Sequence, residues 1–176
     1  MFLRQKSCWY LTKYIENHLL KDQKVQQRFI RFGLFFFTSI WLLLIVTPCF
    51  NFSFFNYYYP FQKQLFSTVC HQNEYKSFIC NDIPFLVCAR CTGIYAGALI
   101  ASLTLIVNFK EFIFKTKYFF LLSAPMLLDV VLLNFEVYNY YKPLSAFTGL
   151  LFGSSVFLYI LSAIENLLFS ESKNQK

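Results

Sequence analysis

Four of the six cysteines lie in one stretch of the chain, close to a histidine. Cys70 is followed directly by His71, and Cys88 and Cys91 form a C-x-x-C pair. Sixteen residues, 72–87, separate His71 from Cys88, which is a spacing found between the two halves of zinc-binding Cys/His sites. Three thiolates and one imidazole would complete a tetrahedral zinc shell. The spacing therefore predicts a metal site, with zinc as the metal, formed by Cys70, His71, Cys88 and Cys91.

The same cysteines fit two other chemistries. A C-x-x-C pair is typical of thiol-disulfide exchange. Cys88 and Cys91 would then exchange electrons with Cys70 and Cys80 and pass them to a quinone within the membrane. Alternatively, the cysteines form inert disulfides or stay reduced, and the protein is purely structural. These alternatives leave open whether the chain is an enzyme.

The composition indicates what must position these residues. The 176-residue chain is 57% hydrophobic and 14% charged, whereas soluble domains are about 25% charged. Stretches of roughly 20 apolar residues are long enough to cross the hydrocarbon core as helices. The sequence predicts an all-α, polytopic membrane protein with four transmembrane helices in a bundle that contacts the lipid bilayer. The predicted spans are about 32–50, 85–109, 118–135 and 144–164.

Positive charge predicts the orientation, because Lys and Arg in short flanking segments tend to stay in the cytoplasm. Twelve of the 16 Lys and Arg residues lie before the first predicted span, between the second and third, or after the fourth. Both termini are therefore expected on the cytoplasmic side of the cell membrane. We divide the chain into a basic, amphipathic cytoplasmic segment, a transmembrane domain and a cytoplasmic tail, at 1–31, 32–165 and 166–176. The loop that carries the Cys/His residues, between helices 1 and 2, then faces outwards.

The net charge of +7 does not call for nucleic acid as a partner. Binding of DNA or RNA requires basic residues clustered on one folded face. Here they are spread along segments that flank the membrane, so we expect no nucleic-acid binding. The sequence identifies no protein partner.

Two pairs of glycines predict how the helices meet. Gly93 and Gly97 lie on one face of the second predicted span, and Gly149 and Gly153 on one face of the fourth. Small residues four apart allow helix backbones to approach closely in lipid. We therefore expect the second and fourth spans to pack against each other at these glycines.

One acid, Asp129, falls near the middle of the third predicted span. An unpaired charge at this depth is costly, so an intramembrane acid suggests a functional or structural partner. The candidates are an ion pair with Arg90 and hydrogen bonds from Tyr95 or Thr148. We expect Arg90, Asp129 and Tyr95 to be polar groups that either surround the metal ligands or lie within the membrane.

Several blocks of the sequence resemble a family of small bacterial and archaeal membrane proteins, domain of unknown function 2085. These are C-H-Q at 70–72, C-A-R-C-T-G-I-Y-A-G at 88–97, S-A-P-M-L-L-D at 123–129 and T-G-L-L-F-G at 148–153. The resemblance implies a membrane fold but no established activity. Lys76, Val130 and Ser145 depart from the family pattern, which usually has Arg, Gly and often a basic residue there. Cys80 is not part of that pattern, and we expect no role for Cys8 or Cys49.

Overall fold

The computed structural model describes residues 25–50, 53–80, 82–107 and 116–174, with side chains described except at 53–56 and 168–174. Most of the predicted cytoplasmic segment 1–31 lies outside these residues. Four of the helices are long and apolar enough to cross a membrane, which confirms the predicted membrane bundle. They are α1 (Val25–Ile45), α3 (Ala89–Val107), α4 (Thr116–Asn134) and α5 (Lys142–Asn174).

The helix ends differ from the bounds that hydropathy predicts. α1 begins before residue 32 because the polar residues at its start are good helix formers although they are not apolar. It ends at Ile45, and a 3-10 turn at Thr47–Cys49 follows, in which Pro48 has no N–H to continue the helix. In the second predicted span, residues 85–88 belong to a strand and not to the helix. The helix of the fourth predicted span, α5, continues beyond residue 164 to Asn174.

The segment between α1 and α3, called the outer segment because the charge pattern predicts that it faces outwards, is folded, whereas the sequence predicts a loop there. It contains helix α2 (Ser53–Ser67) and an antiparallel hairpin of β1 (Ser77–Cys80) and β2 (Ile83–Cys88). β1 ends at Cys80 and β2 begins at Ile83, and Asp82, just before β2, has a φ of 62°. Asp is one of the residues that tolerate a positive φ in the tight turns of hairpins. The all-α bundle that the sequence predicts therefore carries a two-stranded hairpin in the segment that was expected to be a loop.

A disulfide joins Cys49, just after α1, to Cys80 at the end of β1, with the two Cα atoms 5.2 Å apart. This corrects two expectations, because Cys49 was given no role and Cys80 was considered as a partner of the C-x-x-C pair. The bond fixes the hairpin to the end of α1. Disulfides persist in oxidising compartments, which supports placing this segment on the outer side of the membrane.

A small apolar core holds the outer segment on the bundle. Ile45, Phe66, Cys70, Leu86 and Val87 are buried in it, so it draws on the end of α1, the end of α2 and strand β2. The Trp41 ring meets Phe66 edge-on, with ring centroids 5.2 Å apart. Because Cys70 belongs to this core, burial of apolar surface also positions a candidate ligand.

α3 and α5 cross at the four glycines that the sequence singles out. A Cβ atom added at Gly93, Gly97, Gly149 or Gly153 would overlap a backbone carbonyl of the facing helix. The two backbones are therefore in direct contact, and no larger residue fits between them. On the outer faces of the bundle, apolar side chains such as Phe36, Leu121 and Val131 are exposed, as lipid-facing residues are.

A buried ion pair joins α1 to α5 at the end of the bundle that lies away from the outer segment. Arg31 Nε and Nη2 donate to the two carboxylate oxygens of Glu165, at 2.8 and 3.1 Å. Its Nη1 donates to the Leu105 carbonyl at 3.2 Å. Arg31 is 4% exposed and Glu165 is 8% exposed. The forked geometry satisfies both charges, so one arginine connects α1, α3 and α5.

The orientation is a prediction that surface labelling can check. We expect a cysteine introduced by Asn73→Cys, beside β1, to react with a membrane-impermeant maleimide on intact cells. A cysteine introduced by Lys117→Cys, at the start of α4, should react only after the membrane is permeabilised. Asn73 and Lys117 are both exposed, so a difference in labelling on intact cells reports the side of the membrane and not burial in the protein. Labels are counted by mass above the unsubstituted chain, and the reverse pattern would contradict both termini being inside.

Candidate metal centre

Three cysteine sulfurs converge where the outer segment meets the bundle. The Sγ atoms of Cys70, Cys88 and Cys91 all lie within 4.8 Å of one another. Cys70 follows α2, Cys88 is the last residue of β2, and Cys91 lies in the first turn of α3. Cys70 is buried, while Cys88 and Cys91 are half-buried. The hairpin therefore places residues that are distant in sequence at one point.

Gln72 fixes the segment that carries Cys70. Its backbone turns at a φ of 47°, and its side-chain amide donates to the carbonyls of Lys63 and Leu86, at 2.7 and 2.9 Å. These bonds attach the segment to α2 on one side and to β2 on the other. The Cys88 N–H then points at the Cys70 sulfur, with a nitrogen–sulfur distance of 3.3 Å.

The surroundings of Cys70 favour its thiolate. Hydrogen bonds from the thiols of Cys88 and Cys91, together with the backbone N–H groups of Cys88 and Gln72, hold the pKa of Cys70 well below its usual range. Hydrogen bonds to the charged form outweigh burial, which acts in the opposite direction. A thiolate is the form of cysteine that binds metals and acts as a nucleophile.

His71, the fourth predicted ligand, is exposed and is not part of the sulfur group. Among the residues that the structure describes, no other His, Cys, Asp or Glu joins the three cysteines. The sequence places His71 beside Cys70, but the core takes the Cys70 side chain inwards while its neighbour remains in solvent. The protein thus offers three sulfur ligands and, within the described ranges, no fourth side-chain ligand.

Asp129, in α4, is held by three side chains from other parts of the chain. Arg90 Nη2 donates to its Oδ2 at 2.7 Å, and the Ser145 hydroxyl donates to the same oxygen at 3.2 Å. The Tyr138 hydroxyl donates to Oδ1. Thus Arg90 is the ion-pair partner among the candidates that the sequence offered, and the group links α3, α4 and α5.

Two of these contacts were missed by the sequence analysis. Tyr138 lies in the turn after α4 and Ser145 in the first turns of α5, and only the fold brings them to Asp129. Burial and the hydrogen bond to the carboxylate raise the pKa of Tyr138 to about 12, so it remains a proton donor at neutral pH. The Thr148 hydroxyl donates to the Ser145 carbonyl instead, at 3.2 Å.

Tyr95 lies one helical turn after Cys91 and on the side of α1, not beside Asp129. Its ring centroid is 6.1 Å from that of Trp41, and both side chains pack against the core that contains Cys70. Tyr95 therefore contacts both α1 and the core that contains Cys70.

We expect the ion pair to stabilise the bundle. Asp129→Leu leaves the Arg90 guanidinium without its carboxylate, and removing one partner of a buried pair typically costs about 3–5 kcal/mol. The Arg90 side chain is 22% exposed, so we expect about 2–3 kcal/mol here. Thermal unfolding in detergent measures this loss. The double variant Arg90→Met, Asp129→Leu should recover most of it, and an Asp129→Leu protein as stable as the parent would contradict the argument.

This architecture defines a multi-pass membrane protein with a three-sulfur cluster at one end of its helical bundle. The chain belongs to the family described as predicted membrane proteins, domain of unknown function 2085, whose model matches residues 70–159. It is also 28% identical over 112 residues to the uncharacterised protein MJ1492 of Methanocaldococcus jannaschii. That match covers 62% of this chain and 72% of the relative. No solved structure matches the chain.

The matched region begins at Cys70 and contains all three sulfurs, Arg90 and Asp129, together with the four glycines of the helix crossing. The disulfide extends beyond the matched region, because Cys80 lies inside it and Cys49 precedes it.

Proposed function

We propose that Cys70, Cys88 and Cys91 bind a zinc ion at the outer surface of the cytoplasmic membrane. The observation that carries the proposal is the convergence of the three sulfurs within 4.8 Å of one another. In a tetrahedral site with Zn–S bonds of about 2.3 Å, the sulfurs are about 3.8 Å apart. The three cysteines need only a small inward adjustment to reach that separation.

The hydrogen bonds around Cys70 support metal binding. Backbone N–H groups that point at a sulfur stabilise a thiolate and orient it, as outer groups commonly do around metal ligands. Cys70 has such contacts from Cys88 and Gln72. Arg90, which lies in the chain between two of the ligands, is itself fixed by Asp129 at 2.7 Å.

Three protein ligands leave one coordination position for water or a substrate. Structural zinc sites are closed by four protein ligands, whereas catalytic sites keep an exchangeable position. His71 is exposed and follows the ligand Cys70 in sequence, so its imidazole is available to act on a substrate bound at the zinc ion. We therefore propose that the site is open, and that zinc has a chemical role as well as a structural one.

Protection of the thiols tests the proposal. Protein purified in mild detergent with added zinc is treated with an alkylating reagent before and after chelation. We expect Cys88 and Cys91 to react slowly with zinc present and much faster once it is removed, because coordinated thiolates are shielded. Modification rates that do not depend on zinc would contradict metal binding at these residues.

A second candidate is thiol-disulfide exchange by the same cysteines. It is favoured by the proximity of three reduced thiols to a segment that already contains one disulfide, Cys49–Cys80. In this case the C-x-x-C pair would be oxidised by an added quinone, with loss of two free thiols for each quinone reduced. Zinc-free protein that shows this exchange would assign the redox function instead. Metal-free thiols that stay inert towards quinone would leave the cluster structural.

A further inference from the structure

Helix α2 presents an apolar stripe to its surroundings. Tyr57, Phe61 and Leu65 are four residues apart and therefore lie along one side of the helix. Their side chains are 82%, 70% and 47% exposed. No charged residue interrupts the stripe. Large apolar side chains that are exposed in a row on a folded element mark an interaction surface.

The other two sides of α2 have different surroundings. Phe66, on the second side, packs on the Trp41 ring of α1, with ring centroids 5.2 Å apart. On the third side, Lys63 Nζ lies 3.4 Å from Glu74 Oε1 in an ion pair that is open to solvent. One side of α2 thus faces the bundle, one faces water and one presents apolar side chains. A helix with a polar side and an apolar side is suited to the plane of a membrane interface.

The length of α1 places α2 at the level of the bilayer. Arg28 is the last exposed charged residue of α1, and from Phe29 to Ile45, where α1 ends, the helix rises about 24 Å. The hydrocarbon core is about 30 Å thick, so α1 alone ends short of its outer boundary. Phe66 packs on Trp41, one turn before that end. The C-terminal half of α2 therefore lies at the depth of the outer lipid boundary and not above it.

We infer that α2 is an interfacial helix that inserts Tyr57, Phe61 and Leu65 into the outer leaflet of the bilayer. Lipid fits the stripe better than a protein partner, because lipid surrounds the bundle at this depth. The end of α1 and the 3-10 turn before α2 also expose apolar side chains, Leu43 and Phe50. Tyrosine is enriched at membrane interfaces, where its ring contacts acyl chains and its hydroxyl contacts water.

This contact matters for the cysteines because α2 leads directly to Cys70, three residues after the helix ends at Ser67. Insertion of the stripe fixes α2 against the leaflet and so holds Cys70 at the membrane surface. The inference concerns lipid contact, and it holds whether or not the sulfurs bind zinc.

Photocrosslinking from α2 tests the inference. The photoreactive residue p-benzoylphenylalanine replaces Phe61 in the full chain, which is illuminated in the membrane of the cells that express it. Adducts are identified by mass spectrometry, and we expect phospholipid adducts. The same replacement at Val131, which is exposed on α4, gives the reference yield for a lipid-facing position. The yield from position 61 should reach at least half of that reference.

Ser67 provides the matched control on the same helix. It is exposed, and it lies six residues after Phe61, about 120° around the helix and on the side of Lys63. The lipid yield from position 61 should exceed the yield from position 67 at least fivefold. Tyr57 is a second position on the stripe, with the same expected result. Size-exclusion chromatography in mild detergent identifies the variants that fold.

Two results would overturn the inference. One is an equal yield of lipid adducts from the stripe and from position 67 in folded protein. The other is a dominant adduct of positions 57 and 61 with a second copy of this chain or with another protein, which would assign the stripe to a protein interface.

Discussion

Cys70→Ser is expected to reduce the zinc content of the purified protein from about one ion per chain to below about a tenth, since a ligand thiolate is lost. Ser is close in size to Cys, but its hydroxyl does not ionise at neutral pH and binds zinc poorly. Cys88→Ser and Cys91→Ser should have the same effect, because all three sulfurs lie within 4.8 Å of one another. Metal analysis after size-exclusion chromatography in mild detergent measures the content directly.

His71→Ala provides the matched control for this prediction. It changes the residue next to Cys70, but His71 is exposed and not part of the sulfur group. We expect this variant to retain zinc at nearly the parent level. If His71→Ala loses zinc as completely as Cys70→Ser does, the three-sulfur site is wrong and the original Cys/His interpretation is correct.

Gly153→Leu is expected to separate α3 from α5. A Cβ atom at this position would overlap the backbone carbonyl of Ile94, and a backbone cannot move aside as a flexible side chain can. Overpacking in a tight core typically costs about 1–3 kcal/mol, and we expect roughly 3 kcal/mol or more here because the clash is with main chain. The measurement is thermal or denaturant unfolding in detergent.

Gly33→Leu is the control for the helix crossing. Gly33 lies in α1, and a Cβ atom there has nothing within 4 Å among the described residues. The same change of residue should therefore have little effect, or stabilise α1 slightly through helix propensity. Equal destabilisation by Gly33→Leu and Gly153→Leu would contradict direct backbone contact at the crossing.

The bundle itself could be predicted from the sequence. Long apolar stretches specify membrane helices because every backbone polar group must be satisfied within the segment in lipid. The glycine pairs likewise indicated the α3–α5 contact, because spacing by four residues places Gly93 and Gly97 on one face regardless of the rest of the fold. These features depend on local sequence alone.

The hairpin was missed because its second strand is continuous in hydropathy with the helix that follows. Residues 85–87 are as apolar as the start of α3, so an apolar window merges them with the span. Short apolar runs do not distinguish a strand from a helix by periodicity.

The candidate site could be predicted only in part. The C-x-x-C pair and Cys70 follow from sequence spacing, but spacing does not decide whether Cys70 or His71 turns inwards. That choice depends on the core around Phe66 and Val87, which accepts the Cys70 side chain. The pairing of Cys49 with Cys80 was equally beyond reach, because disulfide connectivity does not follow from sequence alone.

The contacts of Asp129 could likewise be predicted only in part. Its position in an apolar span indicated that it needs a partner, and Arg90 was one of the candidates. The Tyr138 and Ser145 contacts depend on how the turn between α4 and α5 returns to the bundle. Contacts of this kind follow from tertiary packing, and no local pattern encodes them.

The most direct test of the central claim is X-ray absorption at the zinc edge on the parent protein in detergent. We predict a first shell of three sulfur atoms at about 2.3 Å and one lighter atom near 2.0 Å. Three sulfurs in the first shell would show that the cysteines bind the ion together, and a light atom without the outer-shell scattering of an imidazole ring would show that His71 leaves the fourth position open. A shell made only of nitrogen and oxygen atoms, or protein that binds no zinc at all, would contradict it.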